Sequence, residues 1–390
     1  MLSVNVLLVL VVVYWMGLYL NNPASVQESS PKDCLARNTL NDLIDCLDAF
    51  SVSPDFYDAS SYAAAQPTDE ENSAWTSVIY SMLNANANDC ADITLPSALE
   101  HSYAVTTFPD VDINRTFCVL SETTASVYSN YTKGWGLMVV PASARDISRH
   151  IHLSAPHPQA DINTPQQAGA IFTLSGAHSL LISGRFRSAY AVQTDCIIPV
   201  GAKKVFYKTD PAHDVREPFS VANLVIREWQ NAHGGCPSET CAYVQFHGKA
   251  ASSCAADTMF ISSGLGNSDS SLSWYEDHSL NIPARRLRDI ARTMFPNWNA
   301  SLPSDDPTCV LTATSNVFGR LINGVPGGSV CTTDADSSIA TGEFIHIEQA
   351  IASRQSDVYD QWGEILRRAF RTSCAEGTVE DSKIGLCVLA

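Results

Sequence analysis

The sequence predicts an α/β fold, a three-layer αβα arrangement around a mixed, mostly parallel central sheet, with an irregular N-terminal extension. Three observations carry this prediction. From about residue 102 onward, short apolar runs of strand length alternate with segments of helical periodicity. The 390-residue chain is 45% apolar and 17% charged, an ordinary globular composition on a length that supports a large core. No internal repeat and no low-complexity stretch interrupts the pattern.

Taken in order, residues 1–24 read as a signal peptide or membrane anchor. The run 2–20 is almost wholly apolar and no Lys or Arg precedes Lys32. Small residues Ala24 and Ser25 offer a processing site, while the run is just long enough to span a bilayer uncleaved. Both readings place the bulk of the chain outside the cytosol, secreted or anchored through 2–20. Residues 25–95 mix amphipathic stretches (40–50, 75–83) with polar loops and read as the extension. The α/β domain covers 96–375 and a C-terminal tail 376–390. Within the domain, strands are expected at 103–107, 116–120, 135–140, 150–155, 179–183, 192–200, 205–207, 243–247, 259–263 and 342–347. Helices are expected at 164–172, with Thr164 as cap and Pro165 in the first turn, and at 221–233, 282–295 and 349–370.

Twelve cysteines form an even set without CxxC pairs, which favours disulfides over a zinc ribbon. Cys236 and Cys241 enclose PSET and are close enough for a local bridge; the other pairings are not readable. Sequons at Asn114, Asn130 and Asn299 agree with an exported glycoprotein. With 24 Lys plus Arg against 41 Asp plus Glu, the net charge of -17 repels phosphate backbones. Nucleic acid is therefore not an expected partner, and function is expected in a pocket.

GxSxG, HExxH, GxxxxGK[ST] and GxGxxG are all absent. Four segments remain that could carry chemistry. In HLSAPHPQADINT a strand delivers His157 to its C-terminal end, with Asp161 four residues on; open α/β sheets bind ligands at such ends. This imidazole and carboxylate either share a Zn²⁺ or are a loop histidine and a helix-capping pair with Thr164. In YVQFHGKAAS, His247 ends a strand before Gly248. It is either the distant third ligand that a catalytic zinc requires or a hydrogen-bonded structural residue. In GEFIHIEQA, alternation puts Phe344, His346 and Glu348 on one face. Glu348 is then a general base or a first-turn carboxylate on a helix dipole, and His346 a second partner or a packing residue. In SGRFRSAY, Arg185 and Arg187 bind a substrate carboxylate or an oxyanion, or form surface salt bridges.

The order of these segments resembles that of the phosphorylase/hydrolase-like zinc enzymes: zinc carboxypeptidases, N-formylglutamate amidohydrolases and poly-gamma-glutamate hydrolases. The resemblance spans roughly residues 104–370 in element order and is specific at the four segments. It implies zinc on His157, Asp161 and His247, with Glu348 as the base. One spacing departs: carboxypeptidases carry HxxE, whereas here Ala160 stands three after His157 and the acid is Asp161. The resemblance implies a secreted, zinc-dependent hydrolase of amide bonds, carboxypeptidase- or N-acyl-amino-acid amidohydrolase-like. Its substrate would be a small molecule or peptide with a carboxylate, met by Arg185, Arg187 and His346. The alternatives are a non-catalytic extracellular binding glycoprotein on the same fold and a metal-dependent esterase or deacetylase.

Overall fold

The computed structural model describes residues 30–86, 90–199 and 205–390. The apolar run 2–20 lies outside them, and among the described residues no helix is long and apolar enough to cross a membrane. Nine strands form one mixed sheet: β1 (Tyr103–Asp110), β2 (Arg115–Glu122), β3 (Leu137–Pro141), β4 (Arg149–Ala155), β5 (Ala177–Ile182), β6 (Cys241–Gly248), β7 (Met259–Ser262), β8 (Ala300–Ser301) and β9 (Phe344–Gln349). Their order is β1-β2-β3-β5-β4-β6-β9-β7-β8. The central four, β5-β4-β6-β9, run parallel, so their C-terminal ends share one edge. Antiparallel β3 and β7 flank them.

Alternation along the central strands gives the sheet two apolar faces, as a buried parallel sheet requires. Ile151 and Leu153 of β4, Val244 and Phe246 of β6, and Ile345 and Ile347 of β9 enter one core. That face is covered by α1 (Leu40–Asp48), α4 (Thr164–Ser175), α7 (Pro283–Met294) and α9 (Tyr359–Ala369). Two helices intervene in the chain before α4: α2 (Ala59–Ala65) and α3 (Asp69–Leu83). The opposite face packs Tyr243, Phe344 and Leu181 against α3, α5 (Pro218–Ala232) and α8 (Val317–Ile322), with Trp75, Phe219 and Phe318 buried between. The remaining helix, α6 (Asp269–Glu276), contributes Tyr275 to the first core. The three-layer αβα expectation therefore holds. The N-terminal segment is no appendage: Leu40, Leu43 and Ile44 of α1 are wholly buried in the core of the sheet.

Several elements differ from expectation. The described parts of the expected strands 192–200 and 205–207 add no strand to the sheet. They meet in one isolated bridge, Gln193 with Tyr207, closed by Thr194 N–H on the Phe206 carbonyl and Lys208 N–H on the Val192 carbonyl, both at 2.9 Å. Strand β9 continues to Gln349, whose buried amide pairs with Gln167 at 2.9 and 2.8 Å. Two 3-10 turns follow, Ile351–Arg354 and Ser356–Val358, so the helix expected from 349 begins only at Tyr359. Thr164 is the first residue of α4, not its cap. Asn163 holds the cap position in a left-handed conformation (φ 69°) without a side-chain bond, and Pro165 lies in the first turn as expected. Residues expected as a tail form a hairpin, β10 (Thr378–Asp381) with β11 (Leu386–Leu389).

All twelve cysteines pair: 34–46, 90–118, 196–331, 236–241, 254–309 and 374–387. The Cys236–Cys241 bridge and the reading of the even set as disulfides are both present. Six disulfides suit an extracytoplasmic protein.

Candidate metal centre

At the C-terminal edge of the parallel strands, the segments of His157, His247 and Glu348 converge. Register sets two of them: β6 lies beside β9 with Gln245 opposite His346 and His247 opposite Glu348. The third arrives from β4, which ends at Ala155 and passes through Pro156 into a tight turn. There Asp161 N–H donates to the His157 carbonyl at 2.9 Å, and Thr164 N–H to the Asp161 carbonyl at 3.0 Å. Gln159 and Asn163, at φ 61° and 69°, supply the left-handed kinks that fold the turn back. His157, Asp161 and His247 are each 3% exposed, so polar groups normally kept in water are held at the base of a cavity.

Asp161 Oδ2 lies 3.1 Å from His157 Nδ1 and 3.3 Å from His247 Nδ1. Donors on a tetrahedral ion with bonds of about 2 Å stand roughly 3.3 Å apart, so these three atoms have the spacing of ligands. The other edge of each ring is held. His157 Nε2–H donates to Asp210 Oδ1 at 3.1 Å. His247 Nε2 faces Gln245 Oε1 at 3.5 Å, and Asn316 Nδ2–H donates to that same oxygen at 2.8 Å. Both Nδ1 atoms face Asp161; with an ion between them, these partners would hold the ring protons on Nε2.

The electrostatics agree. Burial works to lower the His157 pKa, but Asp210 and Asp161 override it and raise it to about 9. Asp161 is held below the usual carboxylate range by His157 and His247 in spite of its burial. His247 is pushed down to about 4, chiefly by burial, and is neutral, the form that binds metal. The turn thus demands a positive charge between its carboxylates, which a proton on His157 Nδ1 or a cation at the same place satisfies.

Three other donor groupings exist among the described residues, and each is weaker. In His157–Asp210–His213, Asp210 Oδ1 already accepts from His157 Nε2, from His213 Nδ1 at 2.8 Å and from the Ala212 amide at 3.2 Å. That oxygen is occupied as a hydrogen-bond hub. In His247–His346–Glu348, His346 Nε2 and Glu348 Oε1 are 3.6 Å apart, wider than the 3.1 and 3.3 Å of the first set. In Asp257–Asp306–Cys309, the sulfur is bound to Cys254 and cannot ligate.

A cavity of about 270 Å³ opens over this base, lined by His157, Asp161, His247, His346 and Glu348. Its walls are the segments 248–250 with Ser253 and 310–316 without Thr312, and the Cys254–Cys309 disulfide ties the two together at their ends. Glu348 stands in strand β9 rather than at a helix start, its side chain 14% exposed toward the cavity. His346 is buried and its Nδ1 finds no partner among the described residues.

The two arginines separate. Arg185 is completely buried and does not reach the cavity. It donates to Glu217 at 2.8 Å, to the Lys133 carbonyl at 2.8 Å and to the Ala65 carbonyl at 2.9 Å. Its guanidinium ties the N-terminal segment to the domain, so the expected substrate role falls away from it. Arg187, two residues on, is exposed and lines the cavity.

Sequence reasoning missed Asp210, His213 and Lys249. The first two sit in TDPAHD, an acid and a histidine flanking Pro211 and Ala212 between the strand expected at 205–207 and the helix expected at 221–233; that pairing in a polar run was the available signal. Lys249 directly follows His247-Gly248 and lines the cavity, its Nζ–H groups donating to the Ser253 and Cys254 carbonyls at 3.0 and 3.1 Å. No protein-family model and no curated protein matches the chain.

Proposed function

We propose that this chain is an extracytoplasmic metal-dependent hydrolase of amide bonds, with Zn²⁺ held by His157, Asp161 and His247. The observation that carries the reading is the ligand-like spacing of His157 Nδ1, Asp161 Oδ2 and His247 Nδ1 beneath a cavity that also presents Glu348. Two imidazoles and one carboxylate are a donor set suited to zinc, with room left for water. When bound, the ion supplies Lewis acidity, polarising a carbonyl and bringing the pKa of water to about 7.

The chain's own residues divide the remaining work. Glu348 takes the proton from the attacking water. Asp210 and Gln245 keep both histidines in the tautomer that faces the ion. Arg187 and Lys249 place positive charge at the cavity, where a substrate carboxylate would bind. Arg185 does not take part.

A second reading has one observation in its favour. His157 between two carboxylates is a closed ion network that stands without a metal, as a binding glycoprotein on this fold would have it. Zinc content decides between the two. Purified protein is dialysed against zinc, its metal measured, and N-acyl amino acids and peptides with free C-termini screened for hydrolysis. Glu348→Gln is expected to retain zinc and lose ~10²-fold or more of turnover. An absence of bound zinc in the wild-type protein overturns the hydrolase.

A further inference from the structure

We propose that His213 is a catalytic residue, the general acid that protonates the leaving nitrogen, with Asp210 as the carboxylate that orients it. This deepens the amide-hydrolase reading and rests on it. Cleaving an amide needs two proton transfers: one from the attacking water, and one to the nitrogen that departs. Glu348 serves the first. Arg185, buried in its own contacts, serves neither.

His213 lines the same cavity as Glu348, His157 and His247. Its side chain is 15% exposed against 4% for His157. Its orientation is fixed from both sides. Nδ1–H donates to Asp210 Oδ1 at 2.8 Å, and the ring lies flat on Phe206, with centroids 3.6 Å apart and planes 12° from parallel. The loop beneath is pinned as well. The His213 amide donates to the Asp210 carbonyl at 3.0 Å, and the Val317 amide to the Ala212 carbonyl at 3.0 Å. An imidazole whose Nδ1–H rests on a carboxylate is oriented to act through its other ring nitrogen, the arrangement that general acid–base histidines use. Asp210 therefore serves two rings, holding His157 as a ligand and His213 as an acid.

The step balances. Water oxygen bonds to the carbonyl carbon and its proton passes to the Glu348 carboxylate. The carbon–nitrogen bond then breaks, its electron pair stays on nitrogen, and that nitrogen takes the proton from His213. Acid and amine leave. The proton on Glu348 and the one missing from His213 are exchanged with solvent.

Leaving groups test this. The 4-nitroanilide and the 4-nitrophenyl ester of N-succinylglycine share an acyl group that carries the free carboxylate, but the nitrophenolate departs without a proton. Both are assayed with zinc-loaded wild type and His213→Gln, with zinc content and circular dichroism measured on each protein. Should the Gln variant misfold, His213→Asn takes its place. Loss of ~10²-fold on the anilide, with the ester falling far less and zinc retained, is the expected result. Equal losses on both substrates, loss of zinc, or an unchanged anilide rate each overturn the role. A wild-type protein that holds zinc and cleaves neither probe overturns the hydrolase reading, and this inference with it.

Discussion

Two groups of buried histidines lie at opposite ends of the same parallel strands, and one ring of the first, His157, behaves oppositely to the second group, while His247 beside it is lowered by burial as they are. At the C-terminal edge, His157 sits between Asp161 and Asp210 and is raised to about 9. Toward the other end, His152 bonds Ser179 Oγ at 2.8 Å and Gln230 Oε1 at 3.0 Å, stacks beside Tyr243, and is lowered to about 4 by burial. His178 packs edge-on against Trp229 and is likewise driven well below its ordinary value by burial. Burial alone makes a histidine a neutral, hydrogen-bonded packing residue. Two carboxylates turn an equally buried ring, His157, into a charged group. The second group is the internal control for the first.

The contrast is broken most directly by removing a proposed ligand. His247→Ala is expected to reduce zinc affinity by more than the ~10–100-fold seen for outer partners of metal sites, and to abolish turnover, as measured by chelator competition. His152→Gln should leave zinc affinity untouched, and a parallel loss there would dissolve the distinction between the groups.

The metal-free protein should show the opposition as a function of pH. His152 has a folded value of about 4, below the ~6.5 of an unfolded chain. The unfolded state therefore binds the proton first, and stability falls as pH drops from 6.5 to 4, by ~3 kcal/mol for this group. His157 has a folded value of about 9; its contribution is complete below ~6.5 and disappears as pH rises through about 9. Urea midpoints with disulfides intact should trace a dome, and His152→Gln should flatten its acid limb. An acid limb unchanged in that variant contradicts the assignment.

Asp210→Asn sharpens the comparison further. It keeps an acceptor behind His157 but removes the charge, and zinc affinity should fall by ~10–100-fold. The smallest effect belongs to Arg187→Ala: an exposed cation at the cavity mouth should change KM for a carboxylate substrate a few-fold and leave zinc and stability alone. Arg185→Met separates the neighbouring arginines, since leaving Glu217 buried and unpaired costs ~3–5 kcal/mol without touching the metal.

What could be read from the sequence followed from local periodicity. The strand ends that deliver His157 and His247, and the alternation that puts His346 and Glu348 on one face, are properties of a few adjacent residues, and the structure brings these four side chains to one cavity. What could not be read depended on distant partners. Arg185 looks identical in sequence whether it meets substrate or Glu217, and only the fold brings Glu217 and the Ala65 carbonyl to it. Asp210 and His213 lie in a loop without periodicity, so their approach to His157 is visible only in three dimensions. The helix expected from 349 lost its first turns to a buried Gln349–Gln167 pair, a contact between residues far apart in the chain.

The connectivity of the disulfides sets a problem for biosynthesis. The bridges nest without crossing. As the chain emerges, 34–46 and 90–118 join consecutive cysteines and can close on first encounter. Cys196 cannot: it must pass over 236, 241, 254 and 309 to reach Cys331. Oxidation in order of appearance would join Cys196 to Cys236 and strand Cys241, so the native pattern requires thiol–disulfide exchange after Cys331 has been made. Maturation should therefore be limited by reshuffling at Cys196, and recombinant yield should rise with a co-expressed disulfide isomerase more than with a stronger oxidant.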